Sequence, residues 1–240
     1  MKILGVDIET GSSFDTSKDK TIVTEIGAVL WETDTNTPLE IENLLVNEEQ
    51  GVHSQASEYT GINNDMIMNH GLIPSEAISR LHSLLIKADR VVGHNGNQFD
   101  KPILNHFITR QKMDVTSPAW ERNWIDTQTD IDYPSTMRSR SLIYLAACHG
   151  FVNPFAHRAV TDVLTMLQVL SKYDINTIID NADSPRVKVL AQVSYDGRQK
   201  AKDAGFYWNG DEKVWFREMR KNQLASFLNP LNFQTKVIDL

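Results

Sequence analysis

The apolar positions of this chain change period along its length. Lys2 to Ile8 is a short apolar run with Gly-Val-Asp near its end, Thr21 to Trp31 is rich in β-forming residues, and Leu39 to Val46 alternates with a period near two. These stretches predict three strands, opening the chain as an antiparallel meander. From Ser75 the spacing becomes helical. Ala77, Ile78, Leu81, Leu84 and Leu85 repeat behind a Pro74-Ser75 start signal, predicting a helix to Ala88. Val91-Val92 predicts a short buried strand. Lys101 to Gln111 predicts a helix with Pro102 in its first turn, and Ser141 to Cys148 and Ala159 to Leu170 predict two more amphipathic helices. Strands followed by strand–helix alternation imply a layered α/β or α+β domain.

The pattern breaks near Tyr173–Ser184, where the sequence turns polar and Ser184-Pro185 stops any helix. This gives a first domain over 1–174, a linker over 175–184 and a small α+β module over 185–240. The module reads as a strand (Val187 to Tyr195), a helix (Gly197 to Ala204), a hairpin around Asn209-Gly210 and a last helix (Asn222 to Leu228). A domain this small needs large side chains to fold, so Trp208 and Trp215 are expected in its core.

Composition narrows the field. Hydrophobic residues make up 41% of the 240, enough for a core and too many for wholesale disorder. The single cysteine, Cys148, excludes an internal disulfide, suits a reducing compartment and is expected buried within its apolar run. No stretch has the ~20 apolar residues of a membrane span, and the N-terminus reaches acidic residues too soon for a signal peptide. A soluble cytoplasmic protein is the expectation. The net charge of −7 argues at first against a nucleic-acid partner, but it is uneven. Residues 1–174 hold 14 Lys and Arg against 23 Asp and Glu, whereas residues 175–240 hold 10 against 8. Bound divalent cations can reverse the field of an acidic body, and a basic tail can contact phosphates.

The acids fall into a pattern. Asp7 and Glu9 are two apart at the end of the first strand, so both point to one face. Alone, such a pair fits a solvated strand face; buried together, the two repel each other unless a cation lies between them. Asp100 follows a buried strand and the Gly- and Asn-rich turn His94-Asn95-Gly96-Asn97-Gln98-Phe99, where an N-cap role would also fit. His157 and Asp162 are five apart, about 140° around a helix, and share a cleft only if His157 stands outside the helix. Four acids at element ends meet what two-metal phosphoryl transfer requires, two cations roughly 3.5–4 Å apart clamping the attacking and leaving oxygens. Hard oxygen ligands select Mg²⁺ or Mn²⁺, and a histidine titrating near neutrality can take a proton from water.

Asp7-Ile8-Glu9-Thr10, His94-Asn95…Phe99-Asp100 and His157-Arg158-Ala159…Asp162 together resemble the DEDDh branch of the DnaQ-like 3′–5′ exonucleases, with a second motif of the longer TREX type. Glu25-Ile26-Gly27-Ala28-Val29, Thr60-Gly61-Ile62, Asp126-Thr127 and Leu142…Leu145-Ala146 extend the resemblance over roughly residues 1–172. It implies a ribonuclease-H-like fold, a mixed sheet flanked by helices. It further implies two Mg²⁺ (or Mn²⁺) ions, one held by Asp7, Glu9 and Asp162, with Asp7 bridging to the second and Asp100 acting partly through water. His157 would activate the attacking water, and nucleoside 5′-monophosphates would leave from a 3′ end. Thr10, Gly11, His94 and Asn95 would hold the terminal nucleotide. The sequence departs from the family after Thr10-Gly11, where Ser12-Ser13-Phe14 and a polar insertion, Asp15 to Lys20, follow; Phe14 could wedge against a base or anchor the loop.

The tail segment Ala201-Lys202…Gly205…Trp208 resembles small modules on some phage and plasmid nucleic-acid enzymes, and Arg198, Lys202 and Arg217 are its candidate phosphate contacts. The expected substrate is a single-stranded 3′ end, DNA favoured over RNA. An oligoribonuclease or tRNA-trimming enzyme, a non-catalytic binding protein of the same fold, and a proofreading subunit docking a protein partner through the module stay open.

Overall fold

The computed structural model describes residues 1–240 and divides them into two compact units, Met1–Ala182 and Asp183–Leu240. The first contains β1 (Lys2–Thr10), β2 (Val23–Glu32), β3 (Thr37–Leu45), α1 (Ser54–Thr60), α2 (Asn64–His70), α3 (Pro74–Leu85), β4 (Arg90–Gly93), α4 (Asp100–Arg110), α5 (Pro118–Glu121), β5 (Ile125–Asp126), α6 (Leu142–Cys148), α7 (Ala159–Leu170) and α8 (Ile175–Asp183). Its sheet has the order β3-β2-β1-β4-β5. The first three strands are antiparallel, while β4 and β5 are parallel to β1. This is the mixed, helix-flanked sheet expected of the ribonuclease-H-like class.

Strand parity decides what each face carries. The even positions of β1, Leu4, Val6 and Ile8, enter one core with Ile78 and Leu81 of α3 and Leu104 and Phe107 of α4. The odd positions face α7 on the other side, where Ile3 and Val29 pack with Val163, Met166 and Leu167. Asp7 and Glu9 are odd, so they lie on the α7 face, opposite Gly27 and Glu25 of β2. A one-residue slip of β1 would bury both carboxylates in the wrong core. Gly27 lets the helix come close, since a Cβ there would lie 2.4 Å from the carbonyl carbon of Ala159.

The stretch 175–184 is not a linker. It forms α8, whose Ile178 is buried in the α7-side core and whose Asn181 Nδ2 donates to Asp130 O at 2.9 Å and Asp132 Oδ2 at 3.0 Å. Cys148 is exposed rather than buried, because α6 has an outer face (Ile143, Ala147 and Cys148) that a single apolar run conceals. No helix is long and apolar enough to cross a membrane.

The second unit holds β6 (Arg186–Gln192), α9 (Arg198–Asp203), β7 (Tyr207–Asn209), β8 (Val214–Arg220), a 3₁₀ turn (Lys221–Gln223), α10 (Leu224–Leu228) and β9 (Gln234–Asp239). Its sheet runs β7-β8-β6-β9, antiparallel throughout. Asn209 begins the expected hairpin turn, its Oδ1 accepting from the N–H of Asp211 and of Glu212, both at 3.0 Å. The core is Val187, Val189, Ala201, Phe206 and Met219, with Trp215 packed against it. Trp208, expected inside, is 52% exposed.

Candidate active site

One cleft of about 460 Å³ in the first unit gathers Asp7, Glu9, Asp100, His157 and Asp162. Asp7 and Glu9 come from the end of β1 and Asp162 from the first turn of α7, where the helix N-terminus favours negative charge. Asp100 opens α4 and accepts the Ile8 N–H through Oδ1 at 3.0 Å, which ties the second motif to the first. His157 stands two residues before α7, as the five-residue spacing to Asp162 requires. Its φ of 64° is left-handed, and its N–H donates to Asp162 Oδ2 at 3.1 Å. One ligand-capable atom each from Glu9, His157 and Asp162 lies within 4.8 Å of the other two.

These acids are crowded. Burial, then the carboxylates of Asp100, Glu9 and Asp162, hold Asp7 well above its ordinary range. Burial and its carboxylate neighbours push Glu9 up to about 8. Burial raises Asp100 to about 7 against the opposing hydrogen bond from Ile8. Asp162 is raised by burial although His157 N–H and Asn153 donate to it. A cluster this reluctant to ionise suits a divalent cation, and the oxygen-rich donor set fits one.

Several contributors left a faint signal or none in the sequence. Glu25, fully buried on β2, receives Arg158 through Nε at 3.1 Å and Nη2 at 2.6 Å and accepts the Ala159 N–H at 2.9 Å. It therefore anchors the start of α7 from the sheet. Tyr59 of α1 stacks on His157 with ring centroids 4.0 Å apart, and Phe14 meets Tyr59 edge-on at 6.1 Å. Phe14 and Tyr59 are 69% and 56% exposed at the cleft mouth. Lys18, from the polar insertion, lines the cleft and donates to Gln98 O.

Of the expected nucleotide contacts, Thr10, Phe14, His94 and Asn95 line the cleft. Gly11 does not; it is buried against β2, where a Cβ would lie 2.5 Å from Thr24 Cγ2, so packing requires the glycine. His94 Nδ1 lies 2.9 Å from Thr127 Oγ1, its Nε2 is buried and unpaired, and burial lowers its pKa, keeping the ring neutral. Asn95, left-handed at φ 64°, is held by its N–H to Asp126 Oδ1 at 2.8 Å. In the second unit Arg198 and Lys202 are exposed on α9. Arg217 turns inward, its guanidinium 4.6 Å over the Phe227 ring and its Nη1 donating to Ala204 O at 3.3 Å.

A helix-flanked mixed sheet with four clustered carboxylates and a histidine at its strand and helix ends has the ribonuclease-H-like fold and an oxygen-rich donor set. Residues 4–170 match the family described as Exonuclease, and the chain belongs to that family. Residues 187–238 match a second family, described only as a domain of unknown function. A search of curated proteins finds no match. Among solved structures, E. coli exonuclease I in its zinc-bound complex with single-stranded DNA is 15% identical, with a TM-score of 0.67. That match covers 97% of this chain and 68% of the other. The nuclease domain of 3′hExo, a DEDDh family member bound to rAMP, is 13% identical with a TM-score of 0.59, covering 71% and 90%. A 3′-exonuclease that recognises the 3′ end of a histone mRNA stem-loop is 14% identical with a TM-score of 0.58, covering 71% and 80%. At these identities the likeness is one of fold. The family depends on divalent metal.

Proposed function

We propose that this exonuclease removes nucleoside 5′-monophosphates from the 3′ end of single-stranded DNA with two Mg²⁺ or Mn²⁺ ions per site. The observation that carries the reading is the convergence of Asp7, Glu9, Asp100, Asp162 and His157 in one cleft. Asp7, Glu9, Asp100 and Asp162 would hold the metal pair, which when bound supplies charge neutralisation and Lewis acidity at the scissile phosphate. His157 accepts a proton from the attacking water; the water oxygen bonds to phosphorus, and the 3′ oxygen of the preceding nucleotide leaves. Asp162, through the His157 N–H, and Tyr59, through its ring, position that imidazole. Thr10, His94 and Asn95 border the terminal nucleotide, and Phe14 stands where a base can stack.

DNA is favoured because the likeness to the exonuclease I–DNA complex covers 97% of 240 residues, more than the 182 of the first unit, whereas the 3′hExo match covers 71%. The test is parallel digestion of labelled single-stranded DNA, duplex DNA with recessed ends and single-stranded RNA, each with Mg²⁺. Single-stranded DNA should shorten fastest, one nucleotide at a time from its 3′ end. Faster digestion of RNA would move the assignment to an exoribonuclease, and equal loss from a 3′-blocked strand would end the exonuclease polarity.

A further inference from the structure

The second unit carries a solvent-open groove of about 520 Å³, with Trp208 and Trp215 on its walls beside Tyr195, Arg198 and Lys213. Trp208 and Trp215 are cross-strand partners, with ring centroids 5.6 Å apart. Tyr195 is 78% exposed, and the Arg198 guanidinium lies 3.9 Å over its ring. A unit of this size gains most from burying its large rings, and its core is built without Trp208 and Tyr195. The rings therefore stand where a ligand can use them.

The charge around the groove selects the ligand. Its lining contains two cations, Arg198 and Lys213, and no carboxylate. Neither cation forms an ion pair, whereas Glu212, next to Lys213, is engaged by Lys188 Nζ at 2.7 Å. Residues 183–240 hold ten Lys and Arg against seven Asp and Glu, while the chain as a whole is at −7. Flat aromatic faces between unpaired cations match a single-stranded polyanion whose bases are free to stack, and a neutral peptide would leave both charges unanswered.

We propose that this groove is a second nucleic-acid site, in which a base of a single strand stacks on Trp208 and the flanking phosphates meet Arg198 and Lys213. It deepens the reading of the enzyme as a single-strand exonuclease and rests on that reading for the identity of the strand. The site supplies affinity for the strand and takes no part in bond cleavage.

The experiment uses the full chain in EDTA, which separates binding from hydrolysis. Anisotropy of labelled dT and rU oligonucleotides gives affinity, and tryptophan fluorescence reports stacking. Wild-type protein should bind with quenched emission. Trp208→Ala should weaken binding roughly tenfold or more and remove most of the quenching, given the usual worth of one base–aromatic stack. Arg198→Gln with Lys213→Gln should flatten the dependence of log affinity on log salt by close to two counterions. Circular dichroism melts check that each variant is folded, and the charge variant tests the site independently of the ring. Wild-type affinity, quenching and salt slope in the folded variants overturn the proposal, as does preference for a proline-rich peptide over both oligonucleotides. Hydrolysis by the wild-type chain with Mg²⁺ is scored separately. Trp208-dependent binding without hydrolysis would remove the exonuclease reading and leave the groove; hydrolysis without such binding would do the reverse.

Discussion

At the scale of single residues, the proposed active site is a set of acids held against their own preference. Glu9 at about 8 and Asp100 at about 7 both lie above the values they would have unfolded, 4.5 and 3.8. A carboxyl raised by folding stabilises the native state while protonated. That contribution is full below the unfolded value and is lost as pH rises through the folded one. Metal-free protein should therefore melt lower as pH rises from 5 to 9, and Mg²⁺ should restore most of the loss at the alkaline end. Asp7→Asn should flatten this profile and raise the melting temperature in EDTA while abolishing turnover. Melts across pH in EDTA check both, and a profile that rises with pH would sink the argument. His157 makes a different demand: a protonated imidazole cannot accept the proton of water. With metal saturating, His157→Ala should lose most of the rate in a protein that still folds; near-wild-type turnover would take the base role from His157. These five residues were legible because each motif pairs an acid or histidine with an element end. Tyr59 and Asn153 were not: Tyr59 adjoins Thr60-Gly61-Ile62 but reaches the site only through the packing of the short α1, and Asn153 enters from an aperiodic loop.

At the scale of elements, the proposed chemistry depends on where α7 begins. Helix and sheet meet at Gly27 and Glu25, one by permitting contact and the other by enforcing it. Glu25 is fully buried and neutralised by Arg158, so removing the carboxylate leaves a partly buried guanidinium without its partner. Glu25→Ala should cost about 3 kcal/mol. Glu25→Gln retains an acceptor for the Ala159 N–H and should recover part of that, with kcat falling more than KM rises in both. Gly27→Ala puts a Cβ against backbone, which a rotamer change cannot relieve, so α7 must shift with His157 and Asp162. Turnover should fall at least tenfold in a protein that still folds; wild-type kcat in Gly27→Ala would show that the helix start has slack. The period of α7 fixed its limits, Ala159–Leu170, from sequence, and the strands of the meander were readable to within two residues. Other elements stayed hidden for physical reasons. α1 and α2 are seven-residue helices with few buried positions, and β5 is two residues long. The outer strand β9 is largely exposed, so its pairing to β6 leaves no hydrophobic pattern.

At the scale of the molecule, the boundary between the units is the feature the sequence misplaced, and the structure turns the correction into an experiment. The stretch after Tyr173 reads as a linker because five of the nine residues of α8 are polar and Ser184-Pro185 follows, although its apolar residues keep the i, i+3, i+4, i+7 spacing of a helix. Those residues, Ile175, Ile178, Ile179 and Ala182, pack on the α7-side core, and Asn181 is bonded to the backbone and side chain of the segment after β5. A chain ending at Asp183 keeps all of these contacts; a chain ending at Asp174 exposes the surface beneath Ile178. Burying one such side chain is worth about 1.5–3 kcal/mol, so the shorter chain should melt well below the longer one. Only the longer should retain full metal-dependent cleavage of short oligonucleotides. Both lack the basic unit and should bind long single strands more weakly than the full chain, with a shallower salt dependence because fewer counterions are released. Equal melting temperatures would return α8 to the status of a linker. A well-folded chain ending at Asp183 that bound long strands as tightly as the full protein, with the same salt slope, would show that Asp183–Leu240 serves something other than nucleic acid. The two truncations thus separate what the tail does for the fold from what it does for the substrate, because α8 belongs to the first unit and the groove with Trp208 belongs to the second.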